Sequence, residues 1–195
     1  GLDELLSSPG PGALVGRPAP AARVLLVDLP RDPDLSSGLD PFLVPAGAIG
    51  ELIVAGDHVN RGYVDDLNAT AENKLFVGDA LWHRTGDLAR WDGEGRLWLV
   101  GRVADRVPWR DRVLQPFEVE ERVEALPGVG RCALVSGPGL PAVLAWEGEA
   151  ETLDPTQADP GLAGLPVRKV GRIPVDGRHN SKVDRVLLRE ELRRG

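Results

Sequence analysis

The spacing of apolar and polar positions divides the chain into two halves of different character. Between Ala22 and about Gly101, short apolar runs alternate with turn residues. RVLLVD (Arg23–Asp28), ELIVAG (Glu51–Gly56) and GRLWLVGR (Gly95–Arg102) are aliphatic, β-branched or aromatic and are bounded by Gly, Pro or Asp, which predicts strands. WDGEGR (Trp91–Arg96), with its Asp-Gly and Glu-Gly steps, predicts a turn. WHRTGDL (Trp82–Leu88) predicts a strand that ends in Thr-Gly-Asp. LNATAENKLF (Leu67–Phe76) predicts a short helix capped by Asn68 or Thr70. The long stretch from Asp28 to Gly50 is polar, then rich in Pro and Gly, and predicts a loop.

After Gly101 the apolar period lengthens. PFEVEERVEAL (Pro116–Leu126) places Val119, Val123 and Leu126 at i, i+4 and i+7, with Pro116 suited to a first turn, and predicts an amphipathic helix. Glu118, Glu120, Glu121 and Glu124 then fall on its other face, and PGVG stops it. RCALVSG (Arg131–Gly137) and AVLAWEG (Ala142–Gly148) predict two strands. The acidic stretch Glu149–Pro160 predicts weak structure, and a short strand is expected near Val170–Val175. A final helix is expected over Val183–Arg194, with Val183, Val186 and Leu187 on one face. Strand, helix, two strands and helix make a small α+β domain. The composition change puts the junction at Gly101–Asp105.

Bulk composition narrows the class. Hydrophobic content of 42% and charged content of 27% suit a globular chain. A net charge of −7 argues against a general nucleic-acid binder, which needs a basic surface, but not against one nucleotide pocket. No apolar run approaches the length of a membrane span. Cys132 is the one cysteine, so no disulfide framework is expected and a reducing, cytoplasmic setting is the default. His58, His83 and His179 lack ligand spacing, so no metal site is expected. The chain begins at Gly1 and has no methionine, which suggests that an N-terminal part of a longer protein precedes it.

Three places could carry chemistry. In WHRTGDL, Asp87 offers a carboxylate beside Gly86, suited to accepting two hydrogen bonds from a ribose diol; a plain turn with Asp87 bonded to its own backbone is the alternative. In VGRVADR, Arg102 follows Gly101 at a strand end and could hold a phosphate or ribose oxygen, or simply face solvent. In RHNSKVDR, Lys182 is one of three lysines against twenty arginines. It could reach a phosphate or a developing negative charge, or be a solvated loop residue. No phosphate-binding glycine loop of the G-x-x-x-x-G-K-[ST] or G-x-G-x-x-G kind occurs in the right context.

In order, GELIVAGDHVNRGYVDD, WHRTGDLARWDGEGRLWLVGR, PFEVEERVEALPGVGRCALV and NSKVDR resemble the consecutive C-terminal motifs of the adenylate-forming enzymes. These include acyl-CoA synthetases, peptide-synthetase adenylation domains and luciferases. The resemblance runs almost from end to end of the chain. It implies an α+β fragment: the β-rich end of a large adenylation domain over residues 1–101, a hinge at 102–105 centred on Ala104, and a mobile C-terminal domain over 106–195. It also implies roles. Asp87 would hold the ribose hydroxyls of ATP, Arg102 would contact the nucleotide, Leu99 would pack near the adenosine, and Lys182 would stabilise charge during adenylation. ATP and Mg²⁺ are the implied cofactors, with the Mg²⁺ ligand upstream of this chain together with the phosphate loop and the acyl pocket. The chain alone is therefore expected to be inactive. The implied partners are a carboxylic acid substrate and the missing N-terminal part of the same enzyme. A complex with other pathway enzymes is compatible with this, whereas nucleic acid is not expected.

The departures point to a branch. Where the family has an Asp or Lys at the hinge, then Lys, Gly and Arg, this chain has Ala104, Pro108, Asp111 and Val113. In thioester-forming members that Lys and Gly border the entrance of the pantetheine arm, so Asp111 would add bulk and negative charge there. LVGRPAP, WHRTGD, GRLW, GRVA and VDGRHNSK are similar to the olefin-biosynthesis β-lactone synthetases. That likeness implies activation of a β-hydroxy fatty acid as acyl-AMP, followed by ring closure. The other readings are a fatty acyl-CoA or acyl-carrier ligase, and a non-catalytic remnant that binds nucleotide or a partner protein.

Overall fold

A computed structural model describes residues 12–62, 66–176 and 182–194. The chain divides between Ala104 and Asp105 into two units. The class is α+β, sheet-rich, with three α-helices among the described residues.

The first unit is built on an antiparallel sheet of β1 (Ala13–Gly16), β2 (Arg23–Val27), β3 (Gly50–Ala55), β4 (Lys74–Val77), β5 (Ala80–Trp91) and β6 (Leu97–Arg102), in the order β1-β6-β5-β3-β2. β4 pairs with β5 outside that order. One edge of β5 pairs with β3; the other is shared, with β4 opposite residues 80–83 and β6 opposite residues 87–91. Period-two alternation buries both faces: Val27, Ile53 and Trp82 lie in one cluster, Leu26, Leu52 and Ala89 in the other. The stretch after β2 folds back over the sheet. Leu29 and Leu39 are buried, and Asp28 N–H donates to the Phe42 carbonyl (2.9 Å).

The β5–β6 connection is held by one carboxylate. Asp92 accepts from Glu94 N (2.9 Å), Arg96 N (2.9 Å), Arg96 Nε (2.7 Å) and Trp98 Nε1 (2.8 Å). Burial disfavours its charged form, but the bonds from Trp98, Arg96 and Glu94 outweigh it and hold the carboxyl well below the usual range.

The second unit starts with a hairpin, β7 (Val107–Trp109) and β8 (Arg112–Leu114). Its turn places Arg110 at φ +55°, in the left-handed region. A sheet follows in the order β11-β10-β9, from β9 (Val129–Gly137), β10 (Leu140–Gly148) and β11 (Val167–Lys169). β9 and β10 are antiparallel, whereas β11 runs parallel to β10. The helices cover opposite faces. α2 (Pro116–Glu124) packs Val119 and Val123 against Cys132, Leu134, Leu144 and Trp146. α3 (Arg185–Arg194) packs Leu188 and Leu192 against Ala133, Val135, Val143 and Ala145.

Several expectations are corrected. The helix α1 (Leu67–Asn73) is shorter than 67–76, because Lys74–Val77 pairs with β5 as a strand; its cap is Asp66, which accepts from Ala69 N at 2.8 Å. The strand expected at 170–175 is β11 at 167–169, where the chain meets the free edge of β10. The last helix starts at Arg185, since Val183 is bridged to Val175 and Asp184 caps it by accepting from Leu187 N at 3.0 Å. Its buried face is also different: Leu188 and Leu192 are 0% and 6% exposed, whereas Val186 and Leu187 are 66% and 40% exposed. Glu120, expected on the solvent face of α2, is buried. β1, β4 and the β7–β8 hairpin were not expected from the pattern.

Two outcomes test this packing. Leu188→Ala should cost roughly 2–5 kcal/mol in denaturant unfolding. Val186→Ala should stay within about 0.5 kcal/mol, the reverse of what the sequence pattern would assign. For Asp92, a depressed folded pKa means stability present above the unfolded carboxylate value of about 3.9 and lost as pH falls below it. The gap in urea midpoint between the parent protein and Asp92→Asn should be full above about pH 5 and shrink toward pH 2. A pH-independent gap would refute that role.

Candidate functional site

Thr85, Gly86 and Asp87 occupy the shared edge of β5, where pairing passes from β4 to β6. The expected strand end is corrected: β5 continues through Thr-Gly-Asp to Trp91. It can do so because Gly86 takes φ +70°, and because the register shifts between Glu51 and Ile53 on one side and Leu88 and Ala89 on the other. A Cβ at Gly86 would meet no atom within 4 Å, so the demand for glycine is conformational, not steric. Thr85 fixes the bend. Its hydroxyl donates to the Leu52 carbonyl (2.8 Å) and accepts from Asp87 N (3.0 Å).

Asp87 and Arg102 are direct partners in the β5–β6 register, and Arg102 Nε lies 2.8 Å from Asp87 Oδ1. Their side chains are 25% and 59% exposed, so solvent screens the pair and it adds little stability. What it does is hold a carboxylate and a guanidinium side by side at the surface. An ionised carboxylate accepts only, and an arginine donates only, so together they offer both kinds of contact to a polyhydroxylated, anionic ligand. Leu99 lies three residues before Arg102 on β6. It is opposite Ala89, half-buried, and packed against the cluster of Leu26, Leu52, Ala89 and Leu97.

Two residues that the sequence reading did not single out support this edge from below. Arg84, immediately before Thr85, is bidentate to Glu51: Nη2 to Oε2 at 2.6 Å and Nε to both oxygens at 3.1 Å. The side chains are 10% and 5% exposed, and Arg84 Nη1 also donates to the Pro30 carbonyl at 3.1 Å. The available signal was a lone carboxylate opening the apolar run GELIVAG, followed by an arginine next to the Thr-Gly-Asp triplet.

The remaining candidates lie at the boundary and in the second unit. Ala104 is exposed in the short 3₁₀ turn Val103–Asp105. Lys182 is exposed, and its backbone is tied to Asp176: Lys182 N–H donates to Asp176 Oδ1 (3.2 Å) and Asp176 N–H to the Lys182 carbonyl (2.8 Å). Arg178, His179 and Asn180 lie outside the described residues. Pro108, Asp111 and Val113 are all exposed on the β7–β8 hairpin, with the positive φ at Arg110 and not at Asp111. Cys132 is buried, and burial, reinforced by Glu120 and Glu124, pushes its thiol far above the usual range, so it is a core residue and not a nucleophile. Among the described residues no helix is long and apolar enough to cross a membrane.

No family model matches the chain. Curated proteins similar to it include a protein of Salinispora arenicola described as the "probable non-canonical nonribosomal peptide synthetase CymA", 31% identical over 186 residues, which are 92% of this chain and 2% of that protein. The isonitrile lipopeptide synthase of Mycobacterium tuberculosis is 35% identical over 144 residues, 72% of this chain and 6% of that protein. Among solved structures, ATP-bound MatB from Rhodopseudomonas palustris is similar with a TM-score of 0.69 and 26% identity, over 92% of this chain and 36% of that one. The chain thus spans only a small part of these relatives' own length. By sequence and by fold together, the chain is a homologue of the adenylate-forming superfamily.

Proposed function

We propose that this chain is the C-terminal part of an ATP-dependent enzyme that activates a β-hydroxy fatty acid as acyl-AMP and closes it to a β-lactone. The observation that carries the ATP-dependent half is the Asp87–Arg102 pair on the bent edge of β5. Asp87 accepts hydrogen bonds from the ribose diol, Arg102 contacts the nucleotide, and Leu99 packs near the adenosine. Lys182 approaches the reacting carboxylate and phosphate and stabilises the charge that develops on them. The division between Ala104 and Asp105 supports residues 102–105 as a hinge, with the following unit as the mobile domain.

In the first step a carboxylate oxygen of the acid attacks the α-phosphorus of ATP and expels pyrophosphate. In the second, the β-hydroxyl attacks the acyl carbon, loses its proton and expels AMP. The products are lactone, AMP and pyrophosphate, with no thiol consumed. Intramolecular attack replaces an external nucleophile and gains the advantage of a unimolecular step. The exposed Asp111 and Pro108, where thioester-forming relatives have Gly and Lys, favour this over a thiol acceptor. Mg²⁺ would bind in the part of the enzyme upstream of this chain. A fatty acyl-CoA or acyl-carrier ligase is the second reading, favoured by the peptide-synthetase relatives.

The complete protein carrying this chain, given ATP and a β-hydroxy acid without CoA, should release AMP and lactone, detectable by mass spectrometry. Product that forms only when CoA or a carrier protein is added would reject lactone formation and favour the ligase. Asp87→Asn should raise the KM for ATP about tenfold, as loss of a charged hydrogen bond would. Lys182→Ala should lower the rate of pyrophosphate release about a hundredfold or more. An unchanged rate would remove Lys182 from the chemistry.

A further inference from the structure

The second unit holds a buried charge network that the reaction above does not use. Arg185 Nη1 and Nη2 reach Glu120 Oε1 and Oε2 at 2.7 and 2.8 Å, and both side chains are largely buried, 15% and 12% exposed. Glu120 Oε1 also accepts from Leu134 N at 2.7 Å, and Arg185 Nη1 donates to the Leu134 carbonyl at 3.0 Å. Arg185 Nε faces Asp105 Oδ2 at 3.6 Å, and Arg189 Nη2 faces Asp105 Oδ1 at 3.6 Å. Arg189 Nε in turn donates to the Ser136 carbonyl at 2.9 Å. One guanidinium therefore joins α2, the centre of β9, the start of α3 and Asp105, the first residue of the unit.

The position of Arg185 gives the network a use. It stands three residues after Lys182, and the intervening backbone has little slack. Val183 is bridged to Val175, Asp184 N–H donates to the Pro174 carbonyl (2.9 Å), and Lys182 is bonded both ways to Asp176. We propose that Arg185 is a positioning residue that locks the Lys182 segment to both Glu120 and Asp105, so that a swing at the hinge carries Lys182 without lag. This rests on the roles of Lys182 and the hinge proposed above. A planar guanidinium is needed, because it bonds the Glu120 carboxylate and the Leu134 carbonyl in fixed directions while its Nε faces Asp105; a lysine ammonium keeps the charge but not the fork.

Arg185→Lys separates locking from charge. In the chain itself, amide hydrogen exchange at residues 183–188 and at 105–107 should speed up together by roughly tenfold, with the β10 core amides unchanged. No change, or faster exchange throughout the unit, would overturn the clamp. In the complete protein, Arg185→Lys should lower the turnover of adenylation by roughly ten- to a hundredfold, the cost of a misplaced group, with the KM for ATP held within about twofold. The double variant with Lys182→Ala should be no slower than Lys182→Ala alone. A wild-type turnover in Arg185→Lys, or losses that multiply in the double variant, would show that Arg185 does not act through Lys182. A wild-type rate in Lys182→Ala would instead remove the assignment of Lys182 and this coupling with it. The exchange pattern would still decide the clamp, so the two failures are read separately.

Discussion

A carboxylate and a guanidinium taken out of water lose hydration that only close, multiply bonded pairing offsets, and each unit of this protein is organised around one such pair. In the first unit it is Glu51 and Arg84, in the second Glu120 and Arg185. Both are bidentate, and both draw in main-chain groups: Arg84 takes the Pro30 carbonyl, and the second pair takes both the N–H and the carbonyl of Leu134. Such pairs tolerate little displacement, because a partner moved away leaves an uncompensated charge in a poorly hydrated place. They add rigidity more than stability. They also sit at matching distances from the surface residues of interest. Arg84 is three residues before Asp87, and Arg185 is three residues after Lys182.

The first pair explains how a bent strand can be a firm support. β5 loses regular pairing on its shared edge just where Gly86 adopts a positive φ. A bend of that kind in a lone strand would let the carboxylate wander. Here Arg84 pins the residue before the bend to β3, Thr85 pins the bend itself through the Leu52 carbonyl, and the Asp92 turn closes β5 onto β6 just beyond. Asp87 and Arg102 then meet across two strands whose register is already set.

Much of this was legible in the pattern of residues. The central strands β2, β3, β6, β9 and β10 carry dense β-branched and aliphatic runs between Gly, Pro and Asp, and α2 carries an i, i+4 stripe behind Pro116. The elements that went unread are short or borrowed. β1, β4, β7 and β8 have three or four residues each; β1 and β4 take open edges of β6 and β5, and β7 and β8 pair with each other. Their local preference is too weak to announce them. The face of α3 was misread for a related reason: Val183 belongs to a bridge and not to the helix, so counting from it rotates the apolar stripe away from Leu188 and Leu192.

The sequence by itself determined the α+β class, the central strands, α2 and the candidate residues Asp87, Leu99, Arg102, Ala104 and Lys182, because local periodicity, turn chemistry and ordered motifs are properties of neighbours along the chain. Only the tertiary structure decided that Asp87 and Arg102 face each other, that Glu51 has Arg84, and that Glu120 on an apparently polar helix face is buried against Arg185. Glu120 and Arg185 are 65 residues apart in sequence. Whether a glutamate is solvated or buried depends on which distant cation the fold brings to it, and that information lies in the packing of α2, β9 and α3 together.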